Sequence, residues 1–261
     1  MIHQTAIISE TAQIGSNPSI GPYCVIGPNV KIGDNVVMHS HVVIDGFTTI
    51  GNNNKFFPFS AIGLAPQDLK YHGEKSSLEI GDNNLIREYV TMHPGTETGR
   101  MRTSVGSNCL FMASSHIAHD CIVGDHVIMA NNATLGGHVV VGNYAIIGGL
   151  AAVHQFARIG DYSIVGGLTG ISRDLAPFAS SFSERDKIAG LNIIGLKRHD
   201  FSNADIKKIQ DAFDILFFNE NDKTFSEKIA EVTSKYQHED KLKSLINFIN
   251  SESIRSFVQA K

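Results

Sequence analysis

The stretch Ser115-His116-Ile117-Ala118-His119-Asp120-Cys121-Ile122-Val123 decides the fold, because it lies inside a run where an apolar residue returns every six positions. The steps land on Val105, Phe111, Ile117, Val123, Met129, Leu135, Val141, Ile147, Val153, Ile159, Val165 and Ile171, all of them apolar. In a chain that is 42% apolar, twelve consecutive matches arise by chance about three times in a hundred thousand. The same step runs earlier through Ile8, Ile14, Ile20, Ile26, Ile32, Met38, Ile44, Ile50, Phe56 and Ile62. It resumes at Ile80, Ile86 and Met92, then slips phase by one residue before Val105.

Two residues before each anchor stands a mostly small residue, such as Cys109, Ser115, Cys121, Ala133, Ala145, Ala151 and Ser163. Side chains two apart on a strand share a face, so both positions point inward and the smaller one leaves room for its neighbours. Cys24, Cys109 and Cys121 all fall on this small inward position, which favours packing over nucleophile or ligand roles. A short strand and a sharp corner, repeated every six residues, close on themselves after three repeats. The predicted fold is therefore mainly β: a parallel β-helix of hexapeptide repeats with 18-residue coils of triangular section. The pattern alone leaves its handedness open.

Residues 64–79 leave the pattern, since Asp68 and Glu74 fall where apolar residues would be needed. Burying two carboxylates in an apolar prism is costly, so this segment must loop out. Residues 94–103 form a second excursion that carries the phase slip. After Ile171 the repeat stops, and Arg173 to Gly195 reads as an irregular connector. From Ser202 the period turns helical: Ile206, Ile209, Phe213 and Leu216 follow a Ser202-x-x-Asp205 start that resembles a capping box. Thr224-x-x-Glu227 opens a second helix and Lys241 to Ile249 forms a third. The expected division is a β-helix over residues 1–190 and a small C-terminal α-helical domain over 191–261, covering the end of the helix.

Composition narrows the function classes. A net charge of −4 over 261 residues gives no basic field for nucleic acid. Three cysteines without metal-ligand spacing suit a reducing compartment. The N-terminus lacks a secretory signal, and no apolar run approaches the ~18 residues of a membrane span, so a cytoplasmic protein with no membrane insertion is expected.

Residues 18 apart lie one coil above each other, roughly 4.8 Å apart. Ile117, Leu135 and Val153 then stack, and His116, His119, His138 and His154 crowd one side of the prism within about 10 Å of height. His119, Gly137 and Gln155 form one column, with Gly137 leaving a gap above His119. Asp120 and His138 form another, placing a carboxylate within reach of an imidazole. An imidazole beside an acid suits general base catalysis, and a neighbouring glycine N–H suits a developing oxyanion. Convergent imidazoles can also hold zinc, so metal binding competes with this reading. For His39, His41, His93 and His126, ordinary surface positions at solenoid turns are the preferred reading.

The chain is similar to the UDP-N-acetylglucosamine acyltransferase family. The resemblance rests on Gln67-Asp68-Leu69-Lys70-Tyr71, Ala118-His119-Asp120-Cys121, Ala130-Asn131-Asn132-Ala133-Thr134-Leu135, Val153-His154-Gln155-Phe156 and Gly195-Leu196-Lys197-Arg198. It implies a left-handed β-helix and a homotrimer with active sites in clefts between prisms. It implies transfer of an (R)-3-hydroxyacyl chain from acyl carrier protein to the 3-hydroxyl of UDP-N-acetylglucosamine, the first step of lipid A synthesis, without metal or cofactor. His119 would be the general base, Asp120 would orient it, and the Gly137 N–H would hold the oxyanion. Gln67, Asp68 and Lys70 would contact substrate from the first excursion. His116, His138, His154 and Gln155 would position sugar nucleotide and acyl chain, and Asn192 and Arg198 would bind the uridine and phosphate side. Gly167 matches the position that ends the acyl groove, and a glycine there implies a chain of about fourteen carbons. Two departures touch the nucleotide side: Ile194 stands where the family often has glutamate, and His199 where a second basic residue is common. The alternatives are the related N-acyltransferase of the same pathway, which normally carries an additional N-terminal domain, a zinc lyase of the gamma carbonic anhydrase type, and a non-catalytic trimeric scaffold.

Overall fold

The computed structural model describes residues 1–182, 186–219 and 222–260. Among these residues the chain winds into three sheets of nine, eight and ten strands, parallel except for the last strand of the third, stacked as a left-handed parallel β-helix. Most strands are two residues long. In the nine-stranded sheet His116–Ile117 pairs with Thr134–Leu135, and that with Ala152–Val153, so the 18-residue register holds through the middle of the prism. The anchors Phe111, Ile117, Met129, Leu135 and Ile147 and the small residues Cys121, Ala133 and Ala145 are fully buried in one core. The cysteines belong to this core, and burial pushes the Cys109 thiol up to about 11 and the Cys121 thiol up to about 12.

Three residues past an anchor the backbone turns its corner through the left-handed region, with φ of 56° at Asn35, 60° at Asp120, 64° at His138 and 67° at Phe156. Asn, Asp and His tolerate this conformation best, which explains their recurrence there. Each corner is also tied to the next coil. Asn143 Oδ1 accepts from Asp125 N–H at 2.8 Å, and Asp161 Oδ1 accepts from Asn143 N–H at 2.8 Å. Gly124 leaves room for this ladder, since a Cβ there would lie 2.6 Å from Asn143 Oδ1.

Three expectations are corrected. The first excursion ends earlier than residue 79, because Ser77–Ile80 is already a strand between Phe47–Ile50 and Arg102–Val105, with Leu78 buried. Asp68 and Glu74 lie outside the prism, as the cost of burying them requires. Second, the connector is not irregular throughout. Ile159 bridges Leu175, and Ala179–Ser181 pairs with Ile164–Val165 in the ten-stranded sheet. This last coil is two residues short, so a six-residue count misses it. Gly190–Leu191 then pairs antiparallel with Ala179–Ser180, while residues 183–185 of the connector lie outside the described residues. Third, a short helix α1 (Ile193–Arg198) precedes the expected ones, capped by Asn192.

Helix α2 (Asn203–Phe213) starts at the Ser202–Asp205 capping box and ends in a π turn, Asp214–Phe218. Helix α3 (Phe225–Tyr236) starts at the Thr224–Glu227 capping box, and α4 spans Lys243–Asn250. These helices pack on the last coils. Phe201 meets Tyr162 and Phe178 edge-on, and the Arg158 guanidinium lies 4.3 Å from the Phe248 ring. Beyond α4 the chain returns to the prism, with bridges Asp174–Phe257 and Lys187–Gln259. At the opposite end only Ile2, bridged to Ile20, extends past the first coil. Among the described residues no helix is long and apolar enough to cross a membrane.

Candidate active site

The corner that follows the nine-stranded sheet carries the candidate chemistry. His119 Nδ1 lies 2.8 Å from Asp120 Oδ2. Asp120 is fully buried, and both of its oxygens accept: from Thr96 N–H at 3.1 and 3.2 Å, from Thr96 Oγ1 at 2.6 Å, and from Arg100 N–H at 2.5 Å. Burial alone would raise its pKa. The hydrogen bonds from His119, Thr96 and Arg100 outweigh it and hold the carboxyl down at about 2. A carboxylate only accepts, so the His119 proton sits on Nδ1 and the Nε2 lone pair faces outward.

That lone pair points into a narrow space. Nε2 lies 3.9 Å from Asp68 Oδ2. A Cβ at residue 137 would lie 2.6 Å from His119 Cε1 and Nε2. The expected gap above His119 is therefore filled by the His119 ring itself, which needs Gly137 in order to lie there. Among the described residues no acceptor within the chain takes the Gly137 N–H. His138 meets the His119 ring edge-on at 5.1 Å and stacks on Phe156 at 4.2 Å. Its Nε2 is 4.0 Å from Asp120 Oδ2, too far for a hydrogen bond. The column placing Asp120 beneath His138 is correct, but the carboxylate serves His119. Burial first, then the charges of His119 and Arg100, lower the His138 pKa, with the nearby carboxylates Asp120 and Asp68 opposing.

Beneath this corner His116 Nδ1 shares a 2.7 Å hydrogen bond with Thr91 Oγ1. The surface reading of His93 is corrected: it is buried, meets His116 edge-on at 5.0 Å, and its Nδ1 has no partner. Burial and the neighbouring histidines hold its pKa at about 4. Its place was countable, because His93 N–H donates to Ile117 O and so lies under Ala118, once seven residues are subtracted for the excursion.

Sequence reasoning missed Thr96, Arg100 and Arg255. The second excursion folds back over Asp120, and Gly99 permits it, since any Cβ there would strike the carboxylate. Arg100 Nη1 donates to Asp120 O at 2.5 Å. Glu74 links the two excursions by accepting from Glu97 N–H at 2.9 Å and from His72 N–H at 2.9 Å. Arg255 reaches His154 from the C-terminal strip. A glycine or threonine in a loop gives no sequence signal of this kind.

The sequence-derived residues divide among three corners. His119, Asp120, Gly137, His138 and Gln155 sit on the first, with His154 beside them and Asp68 above, while Gln67 and Lys70 are exposed on the excursion. Asn192 belongs to the second: its Nδ2 donates to Tyr162 O at 2.8 Å and its Oδ1 accepts from Gly195 N–H at 3.0 Å. Arg198, exposed, ends α1 on the same side. Gly167 lies exposed on the third corner, beside Leu168. One chain cannot bring the three corners of a prism together. For a metal, the only candidate donor group among the described residues is His119, Asp120 and His138. It holds two imidazoles rather than three, and a carboxylate whose oxygens are already engaged.

Residues 174–258 match the family profile described as Udp N-acetylglucosamine O-acyltransferase, Domain 2. Residues 11–46 and 102–137 match that of bacterial transferase hexapeptide (six repeats). The acyl-[acyl-carrier-protein]--UDP-N-acetylglucosamine O-acyltransferase of Anaeromyxobacter sp. (strain Fw109-5) is 42% identical over 75% of this chain and 76% of that protein. The chain belongs to the UDP-N-acetylglucosamine O-acyltransferase family. A second such acyltransferase, from Bartonella henselae, is 44% identical over 84% of this chain and 79% of its own. The solved structure of LpxA from Acinetobacter baumannii overlays with a TM-score of 0.93 and 42% identity, covering 99% of each chain. Against the UDP-N-acetylglucosamine O-acyltransferase pattern, both departures fall near the second corner. Ile194 is exposed on α1, and the His199 ring lies 4.5 Å from Tyr144 and 5.4 Å from Tyr162.

Proposed function

We propose that this chain carries out the family's acyl transfer with His119 as general base. The acyl donor is a (R)-3-hydroxyacyl thioester on acyl carrier protein, and the acceptor is the 3-hydroxyl of UDP-N-acetylglucosamine. The observation that carries the assignment is the 2.8 Å contact of His119 Nδ1 with buried, ionised Asp120. It leaves Nε2 as the basic nitrogen. His119 Nε2 takes the hydroxyl proton as the sugar oxygen attacks the thioester carbon. The Gly137 N–H meets the tetrahedral oxyanion. Collapse breaks the carbon–sulfur bond, and the departing thiolate recovers the proton from His119. The step needs no cofactor, because the thioester supplies the leaving group.

Asp68, Lys70 and Gln67 approach substrate from the first excursion, and His116, His138, His154 and Gln155 position it. The three-corner division supports a homotrimer, in which Asn192, Arg198 and Gly167 would meet the His119 of a neighbour across a cleft between prisms. The open Gly167 corner suits an acyl chain of about fourteen carbons. The division at residue 190 then separates the prism from the helices that complete the cleft. A cytoplasmic location fits substrates of this kind. The test is incubation with UDP-N-acetylglucosamine, and in parallel with a 3-O-acylated UDP-glucosamine carrying a free amine, each with hydroxyacyl carrier proteins of several lengths, reading product mass. A 3-O-acylated sugar nucleotide is expected. Acylation of an amine on an already acylated glucosamine nucleotide, with none of the O-product, would transfer the assignment to the N-acyltransferase.

A further inference from the structure

The chain beyond α4 is anchored on both sides of Arg255. Before it, Ser251 Oγ accepts from Arg158 Nη1 at 2.5 Å, and after it Asp174 N–H donates to Ser256 O at 2.9 Å. Val258 N–H donates to Asp174 O at 2.8 Å, and Ile188 N–H donates to Gln259 O at 2.8 Å. Val258 is fully buried, and Phe257 packs among Phe217, Phe225 and Phe248. From this fixed backbone the guanidinium crosses to the first corner. Arg255 Nη2 lies 3.1 Å from His154 Nδ1 and 3.0 Å from Gln155 O, one hundred residues upstream. Arg255 Nε is buried without a partner, so the guanidinium is desolvated on that side.

Arginine has only donors to offer. Nη2 carries two hydrogens, one for each of these acceptors. His154 Nδ1 must then be the accepting nitrogen, and the ring N–H must sit on Nε2. The competing arrangement has Nδ1–H donating to Gln155 O, 3.2 Å away. It would set an N–H against a guanidinium N–H and leave the arginine one acceptor short. We propose that Arg255 is a positioning residue, which selects the Nε2–H tautomer of His154 and fixes the Gln155 backbone, so that His154 presents a hydrogen-bond donor to an oxygen of the sugar nucleotide. This rests on the reading that His154 and Gln155 belong to the substrate site. The helical domain thereby sets the state of a side chain on the prism, and the tail is a working part of the corner rather than packing alone.

The test uses the full chain and four variants: Arg255→Met, which keeps the stem and removes the donors, Arg255→Lys, His154→Ala, and the double variant Arg255→Met with His154→Ala. In the wild type, imidazole nitrogen resonances of His154, assigned by their loss in His154→Ala, are expected to show a bare Nδ1 and a protonated Nε2. Arg255→Met is expected to give a tautomer mixture and a roughly tenfold higher KM for UDP-N-acetylglucosamine, with kcat changed less than about threefold. Arg255→Lys should recover part of the KM, and Arg255→Met should add little to His154→Ala. Wild-type Nδ1–H, or an Arg255→Met variant with unchanged tautomer and KM, overturns the proposal. Effects of Arg255→Met and His154→Ala that simply add overturn the coupling through His154. A wild type that forms no acylated sugar nucleotide overturns the functional reading instead, and the tautomer measurement decides this proposal without it.

Discussion

Replacing Gly137 with alanine tests the base assignment while keeping every candidate catalytic group in the chain, the residue-137 N–H included. The added Cβ would lie 2.6 Å from Cε1 and Nε2 of His119, where carbon contacts settle at about 3.5–4.0 Å. The ring must therefore retreat by about 1 Å. A shift of that size stretches the 2.8 Å Asp120 contact beyond hydrogen-bonding range. Misplacing a reacting group by about 1 Å costs on the order of a hundredfold in rate, or about 2.7 kcal/mol at 1.36 kcal/mol per tenfold. The fold should tolerate the change, because Gly137 is outside the left-handed region and the atoms met are the far end of a flexible side chain rather than backbone. The Gly137 N–H survives, so a loss of kcat reports on the base and not on the oxyanion donor. The assay follows thiol release from hydroxyacyl carrier protein, with melting temperature and subunit assembly measured on the same samples. An alanine variant with kcat within threefold of wild type, and unchanged stability, would refute the reasoning: either His119 does not rest against Gly137 during turnover or it is not the base.

His119→Ala should lower kcat by about 10³-fold or more while assembly and melting survive, since the ring is outside the core. Wild-type turnover would remove the base. Asp120→Asn should remove an acid-dependent part of the stability. The wild-type carboxyl titrates near 2 when folded against 3.8 unfolded, so its contribution is complete above about pH 4 and disappears as pH falls toward 2. Denaturant titrations of both proteins between pH 7 and 2 should converge at the acid end. His93→Gln should make stability less sensitive to mild acid. His93 titrates near 4 when folded against 6.5 unfolded, so the unfolded chain binds the extra proton between those values. The wild type should weaken more steeply than the variant as pH falls from 6.5 to 4, with the lowered pKa values of His116 and His138 contributing equally to both. Cys109 and Cys121, with thiols at about 11 and about 12, should resist alkylation of the folded protein at pH 8 and react once it is unfolded, read by intact mass. Ready labelling of either would refute their place in the core.

The prism was legible because its rule is local: Ile117, Leu135 and Val153 must each point inward, and a six-residue count finds them. The column logic placed His119, Gly137 and Gln155 together for the same reason. Where the count fails, the sequence is silent. The coil through Leu175 and Ala179–Ser181 is two residues short, and the burial of His93 is hidden behind a seven-residue offset. Thr96 and Arg100 reach Asp120 with backbone N–H groups that any residue could supply, and their side chains join in only because the excursion folds back, which no residue type announces. Arg255 meets His154 across a tertiary contact that no periodicity encodes. Stacking put Asp120 within reach of His138 but says nothing about which side chain turns toward the acid, and it is the His119 Nδ1 that does.

Among the described residues the helices and the returning tail lie at one end of the prism, and the first coil, Ile7–Ile8, Gln13–Ile14 and Ser19–Ile20, presents its strand edges at the other, with Ile2 bridged to Ile20. Open sheet edges invite stray strands from other molecules, and long flat ones seed fibres. Here each edge offers two residues before the backbone bends away at a corner. An incoming strand would have to bend with it three times to pair along one rung. The same corners that give the site its columns therefore make the edges of the first coil a poor seed for stray pairing.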